Sequence, residues 1–94
     1  MALLNVQFHG IWGLYLGVDQ CPMESAGLDE ALARVEEKFG PLLRQQLQER
    51  GVRLDGDIKK YSYITLNNTG LQQLEDNCVR DGDILHVFPA VTGG

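Results

Sequence analysis

The residues best placed to do chemistry close the chain, where Val91-Thr92-Gly93-Gly94 ends the sequence on two glycines. A glycine pair at a terminus adds chain entropy and no packing, so the fold has no need of it. What it offers is a bare α-carboxylate on a backbone without Cβ atoms, narrow enough to thread a slot and present Gly94 to a reagent. We read Gly94 as the reactive group. A carboxylate is a poor electrophile, because its negative charge must be overcome and oxide is a bad leaving group, so Gly94 must be activated. The chain itself carries no P-loop and no convincing acid–base pair.

The other chemistry-bearing residues carry weaker signals. His9 and His86 each stand alone on a strand pattern without a Cys, Asp or His companion, which favours surface histidines over catalysis or metal binding. Cys21 and Cys78 lack a C-x-x-C or His-spaced companion, so two free, buried thiols are expected, with no zinc site, redox pair or disulfide. Asp81 and Asp83 flank Gly82, and Asp55 and Asp57 flank Gly56; both pairs read as turn residues, and no metal is expected.

The elements that must position the tail follow from periodicity. Leu3 to His9 alternates with Leu4, Val6 and Phe8 inward, a half-buried first strand. Ile11 to Val18 is ambiguous, either a hairpin return strand or a compact apolar loop closed by Gly17 before a strand through Val18, Cys21 and Met23. Pro22 confines that later strand to an edge or a bulge, because proline has no N–H for the ladder. Packing in core or loop is favoured for Trp12, Tyr15 and Leu16 over a second partner patch.

Leu28, Ala31, Leu32, Val35 and Phe39 form the apolar stripe of an amphipathic helix, with Gly27 as N-cap and Asp29 and Glu30 in the first turn. Gly40 is expected to end that helix and Pro41 to open another turn carrying Leu42, Leu43 and Leu47 as far as Gly51, a broken arm. Arg53 to Lys60 reads as a loop. Tyr61 to Asn67 alternates again, and Asn67-Asn68-Thr69-Gly70 reverses it into a short strand around Leu71 to Leu74. The final strand, Ile84 to Phe88, runs into the tail.

The fold class is therefore α+β, with a single domain over 1–94 and 89–94 as its functional tail. The order is compatible with an antiparallel-rich roll whose last strand lies beside the first in the middle. If Leu85 and Val87 face the core, His86 and Phe88 emerge on the uncovered sheet face, and Tyr63 and Thr65 join them beside Pro89. That patch is the expected partner-binding surface.

At 94 residues the chain is too small for a deep catalytic cleft between domains. Its 44% apolar content is that of a soluble globular protein, and a formal charge of −5 without a Lys/Arg cluster argues against nucleic acid. No apolar run is long enough to span a bilayer and no signal segment opens the chain, so no membrane association and a cytoplasmic location are expected.

Asp81-Gly82-Asp83, the strand end Phe88-Pro89 and the tail Val91-Thr92-Gly93-Gly94 resemble the C-terminus of the MoaD/ThiS sulfur-carrier family, and look nearest to the molybdopterin synthase small subunit. Asn67 before a turn and the helix opening Ala26-Gly27-Leu28 have counterparts in that family. Pro89-Ala90 stands where the family often has two prolines, and the stretch from Gly40 to Lys60 is long for its smaller members. The resemblance implies a ubiquitin-like β-grasp, a mixed sheet of four to five strands on one main helix, and favours Val18 to Ser25 as the second strand.

It further implies that a ubiquitin-activating-like adenylyltransferase spends ATP to adenylate Gly94, and that a sulfur donor converts the acyl-adenylate to a thiocarboxylate. The chain would then be a cosubstrate rather than an enzyme, with no intrinsic cofactor. Its second partner would be the molybdopterin synthase large subunit. Thiamine, cysteine and tRNA-thiolation carriers share this chemistry. A modifier joined to lysines starts from the same adenylate, and a noncovalent β-grasp adaptor is the remaining alternative.

Overall fold

The computed structural model describes residues 1–54 and 56–90, so Asp55 and the tail residues Val91, Thr92, Gly93 and Gly94 lie outside the described residues. The strands are β1 (Ala2–Phe8), β2 (Gln20–Ser25), β3 (Ser62–Leu66), β4 (Thr69–Gly70) and β5 (Ile84–Pro89), and the helices α1 (Ile11–Leu16) and α2 (Leu28–Glu49). They form one mixed sheet in the order β2-β1-β5-β3-β4, in which β1 and β5 run parallel and the other pairs antiparallel. This is the β-grasp arrangement: the last strand lies between the first and the third, and α2 covers one face.

The alternation of each strand determines what that face buries. Leu4, Val6 and Phe8 of β1, Leu85 and Val87 of β5, and Ile64 and Leu66 of β3 all point beneath α2 and are buried. The helix returns Leu28, Ala31, Val35, Phe39, Leu43 and Leu47, and the Phe39 ring meets Phe8 edge-on at 4.7 Å. Leu32, expected inside, is only partly buried and packs against the core margin. Met23, Ile58 and Tyr61 join the core, which the local pattern did not foretell.

The expected break in the helical arm does not occur. α2 is continuous over 22 residues with Pro41 inside it, and its cap is Arg50 rather than Gly40. Proline in a helix interior costs about 3 kcal/mol through its lost N–H and its clash with the preceding turn. Breaking the helix there would expose Leu43 and Leu47, whose burial contributes about 2 kcal/mol each. Tertiary burial therefore outweighs the local breaker.

The segment after β1 is neither a return strand nor an irregular loop but the short helix α1, closed by Gly17 in the left-handed conformation at φ 75°. Trp12 is driven fully into the core, and its indole N–H donates to Ser62 Oγ at 2.8 Å. β2 follows and starts at Gln20 rather than Val18; it pairs with β1 alone, the edge position Pro22 requires. Beyond β3 the two residues Asn67 and Asn68 turn the chain, Asn67 with φ 56°. The returning strand is shorter than expected, only Thr69–Gly70, and Leu71–Gln73 forms a single 3₁₀ turn where a strand was anticipated. A second such turn, Ile58–Lys60, lies inside the stretch read as loop and seats Ile58 in the core.

Candidate functional site: the open sheet face and the root of the tail

The root of the tail is built from three strands. In register, His86 lies between Gln7 and Thr65, and Phe88 lies opposite Tyr63. Pro89 ends β5 opposite Ser62, and the Ala90 N–H donates to the Tyr61 carbonyl at 3.0 Å, so the backbone is held up to the last described residue. Gly10, at φ 59°, brings the turn after β1 against this root: a Cβ there would contact Pro89 Cγ at 3.4 Å. Gly94, Gly93, Thr92 and Val91 lie outside the described residues.

Upstream, a set of side-chain to backbone bonds fixes where β5 begins. Asp81 accepts from the Leu3 N–H at 2.7 Å, and Gly82, at φ 89°, donates its own N–H to the Leu3 carbonyl. Asn67 Oδ1 accepts from the Ile84 N–H while its Nδ2 donates to Asp83 at 3.2 Å. Asp81 and Asp83 are thus turn residues, as their spacing around Gly82 implies, and they lock the entry of β5 to both neighbouring strands.

On the face away from α2, Tyr63 is 55% exposed, and its ring centroid lies 6.2 Å from that of Phe88. Phe88, His86 and Pro89 are half-buried. Thr65 differs from expectation. It shares that face but is only 7% exposed, flanked by His86 and Gly70, with its hydroxyl donated to the Asn67 carbonyl. It supports the patch from below rather than presenting a contact.

Nor do the histidines stand apart. His9 Nε2 and His86 Nδ1 are 2.8 Å apart, a hydrogen bond between imidazoles, and the His9 ring stacks on Phe88 with centroids at 4.4 Å and planes 13° apart. Burial, and then the charge of His9, hold the His86 imidazole below its ordinary range. This contact was hidden in the sequence because it depends on β1 and β5 being parallel neighbours; the only available signal was the proposal that the last strand lies beside the first.

The remaining candidates stay separate. Cys21 is half-buried and Cys78 exposed, both as free thiols, so the expectation that they are buried is not met. Cys21 sits on the edge strand β2 and packs only against the margin of the core, and Cys78 lies on an irregular, exposed segment. Among the described residues no three metal-ligating side chains gather, and no helix is long and apolar enough to cross a membrane.

No family model and no curated protein sequence matches the chain. Solved structures do. Small archaeal modifier protein 1 from Methanosarcina acetivorans superposes with a TM-score of 0.69 at 19% identity, covering 100% of this chain and 98% of that one. The protein of the same name from Haloferax volcanii gives 0.66 at 18%, covering 99% and 100%. The complex of subunits 1 and 2 of the molybdopterin-converting factor from Helicobacter pylori gives 0.56 at 25%, covering 98% of this chain and 99% of the matched one. The chain is a ubiquitin-like β-grasp protein, and its structural neighbours are the small archaeal modifiers and the MoaD-like converting-factor subunits, the kind that its closing residues resemble.

Proposed function

We propose that the chain is a sulfur carrier whose Gly94 carboxylate is activated and thiolated by a partner. One observation carries the reading: the central strand β5 leads a half-buried imidazole and aromatic row, His86 and Phe88, on the face away from α2 directly into the root of a Gly-Gly tail. A rigid docking face and a reactive end are joined by a few residues. A partner that grips the face thereby positions the carboxylate, which converts an encounter in solution into a local one.

In this reading Gly94 attacks the α-phosphorus of ATP in the active site of a ubiquitin-activating-like adenylyltransferase and releases pyrophosphate. A hydrosulfide-equivalent donor then attacks the acyl carbon and displaces AMP, leaving a thiocarboxylate. ATP and metal belong to that enzyme; the carrier is a cosubstrate, a single domain acting in the cytoplasm. The large subunit of molybdopterin synthase is the acceptor partner we favour, supported by the two-subunit converting-factor structure among the neighbours. Lysine modification is the second reading, favoured by the neighbours named as small archaeal modifiers.

The test is a mass measurement. With the activating enzyme, ATP and sulfide, the intact chain is expected to gain about 16 Da as sulfur replaces one carboxyl oxygen. Deleting Gly94, or appending residues after it, is expected to abolish the gain and leave the circular dichroism spectrum unchanged, because β5 ends at Pro89. Thiocarboxylate on an extended, untrimmed chain, or none on the native one, refutes the carrier reading; adducts on lysine instead establish the modifier.

A further inference from the structure

The pairing of His9 with His86 has a property that neither histidine has alone. A hydrogen bond between Nε2 of one and Nδ1 of the other, at 2.8 Å, needs one N–H and one lone pair. The pair satisfies that requirement with no proton added or with one, since an imidazolium can donate to a neutral ring. With two, both facing nitrogens carry hydrogen and no acceptor remains. Two positive rings with centroids 5.0 Å apart then repel across a face only partly open to water.

Among the described residues no carboxylate forms an ion pair with either ring. Asp19, from the turn before β2, lines a recess together with His9 but makes no ion pair with it. From β3 the facing titratable group is Tyr63, which reaches the pair only through Phe88, and Lys59 shares a recess with Tyr63 farther out. β1 contributes the uncharged Gln7, the one titratable side chain of α1 is Tyr15, whose ring packs beside Trp12 and under Arg50, and α2 lies behind the sheet. The low proton affinity of His86, set by burial and then by His9, agrees with this geometry.

The pair is also mechanically connected to the tail root. His9 stacks on Phe88, Phe88 precedes Pro89, and the Ala90 N–H closes onto Tyr61. We propose that His9 and His86 form a proton-operated switch on the docking face, closed while the pair holds one proton or none and opened by the second. Opening separates the two rings, unstacks His9 from Phe88 and changes the surface that a partner must recognise. As a regulation of docking it rests on the function proposed above, but the switch itself is a property of the free chain.

The experiment therefore uses the full chain alone, without partner, ATP or sulfur donor, so that its outcome is independent of the chemistry at Gly94. Imidazole and amide resonances are followed by NMR from pH 8 to pH 4.5. The wild type is expected to bind its two protons in steps separated by at least about tenfold in affinity, the weaker at His86. The Phe88 ring and Ala90 amide signals should move with that weaker step. In His9→Gln, His86 is expected to titrate once, with proton affinity raised by about tenfold, and the Phe88 and Ala90 response should vanish. His86→Gln gives the reciprocal comparison and replaces the first variant if that one does not fold. Identical titration of the surviving histidine with and without its partner, or Phe88 and Ala90 signals indifferent to the weaker step, overturns the switch.

Discussion

Glu36 and Arg44 stand eight residues apart on α2, yet their side chains meet in a paired contact, with Arg44 Nη1 and Nη2 each 3.0 Å from a Glu36 carboxylate oxygen. The contact spans Gly40, where any Cβ would collide with the Glu36 carboxylate. Glu36 also accepts from the Ile58 N–H at 2.7 Å, and Arg44 donates to the Gly56 carbonyl and the Tyr61 hydroxyl. Burial raises the Glu36 carboxyl, but the guanidinium of Arg44 and the Ile58 N–H outweigh it and hold the group below its ordinary range. One ion pair thus secures both the proline-containing helix and the long connection to β3.

Removing Arg44 would leave a half-buried carboxylate without its charge partner. Arg44→Ala is expected to destabilise by about 1 to 3 kcal/mol in denaturant titrations and to speed hydrogen exchange at the Ile58 amide. Alanine normally stabilises a helix by about 1 kcal/mol over glycine, but Gly40→Ala should yield no such gain, because its methyl group displaces Glu36. Full stabilisation by Gly40→Ala with unchanged exchange at Ile58 would deny the clamp.

Two titrations should separate in the pH dependence of stability. The folded-state affinity of His86 for a proton is below its unfolded value, ordinarily 6.5, so its contribution is complete above about pH 6.5 and is lost as pH falls through the depressed folded value. Glu36 is likewise depressed from 4.5, so its contribution disappears only in the more acid range, as pH falls through its own folded value. Denaturation midpoints between pH 8 and 3 should show both losses in wild type, the milder-acid one alone absent in His86→Gln, and the more acid one diminished in Arg44→Ala.

Val35 on α2 and Val87 on β5 are fully buried at the centre of the sheet–helix contact. Truncating either to alanine is expected to cost about 1 to 3 kcal/mol through lost burial and a cavity. Unchanged chemical denaturation at both positions would contradict the core.

Phe88 combines a half-buried ring, a stack on His9 and a position next to the tail root. Phe88→Ala is expected to fold and to weaken binding to the activating enzyme or the synthase large subunit by about tenfold or more, since aromatic anchors carry much of an interface's energy. Calorimetric titration against both partners with no change in affinity would remove this face from the mechanism.

Much of this was legible in local sequence. Alternation in β1, β3 and β5 assigned Leu4, Val6, Ile64, Leu85 and Val87 to the core side, because successive side chains in a strand face opposite ways whatever lies alongside. The spacing of Leu28, Val35 and Phe39 defined the helix face, and Asp81-Gly82-Asp83 announced the turn that starts β5. What local pattern cannot report is which strand neighbours which, or what an element gains from a distant surface. The contact of His9 with His86 exists because two strands from opposite ends of the chain run parallel side by side, and Thr65 is buried on a strand flanked by β4 and β5. The helix passes Gly40-Pro41, against every local signal, because the core accepts Leu43 and Leu47 beyond them and because Arg44 reaches back to Glu36. Short-range chemistry determined the elements by themselves; long-range burial and pairing decided how far they extend and which side chains meet.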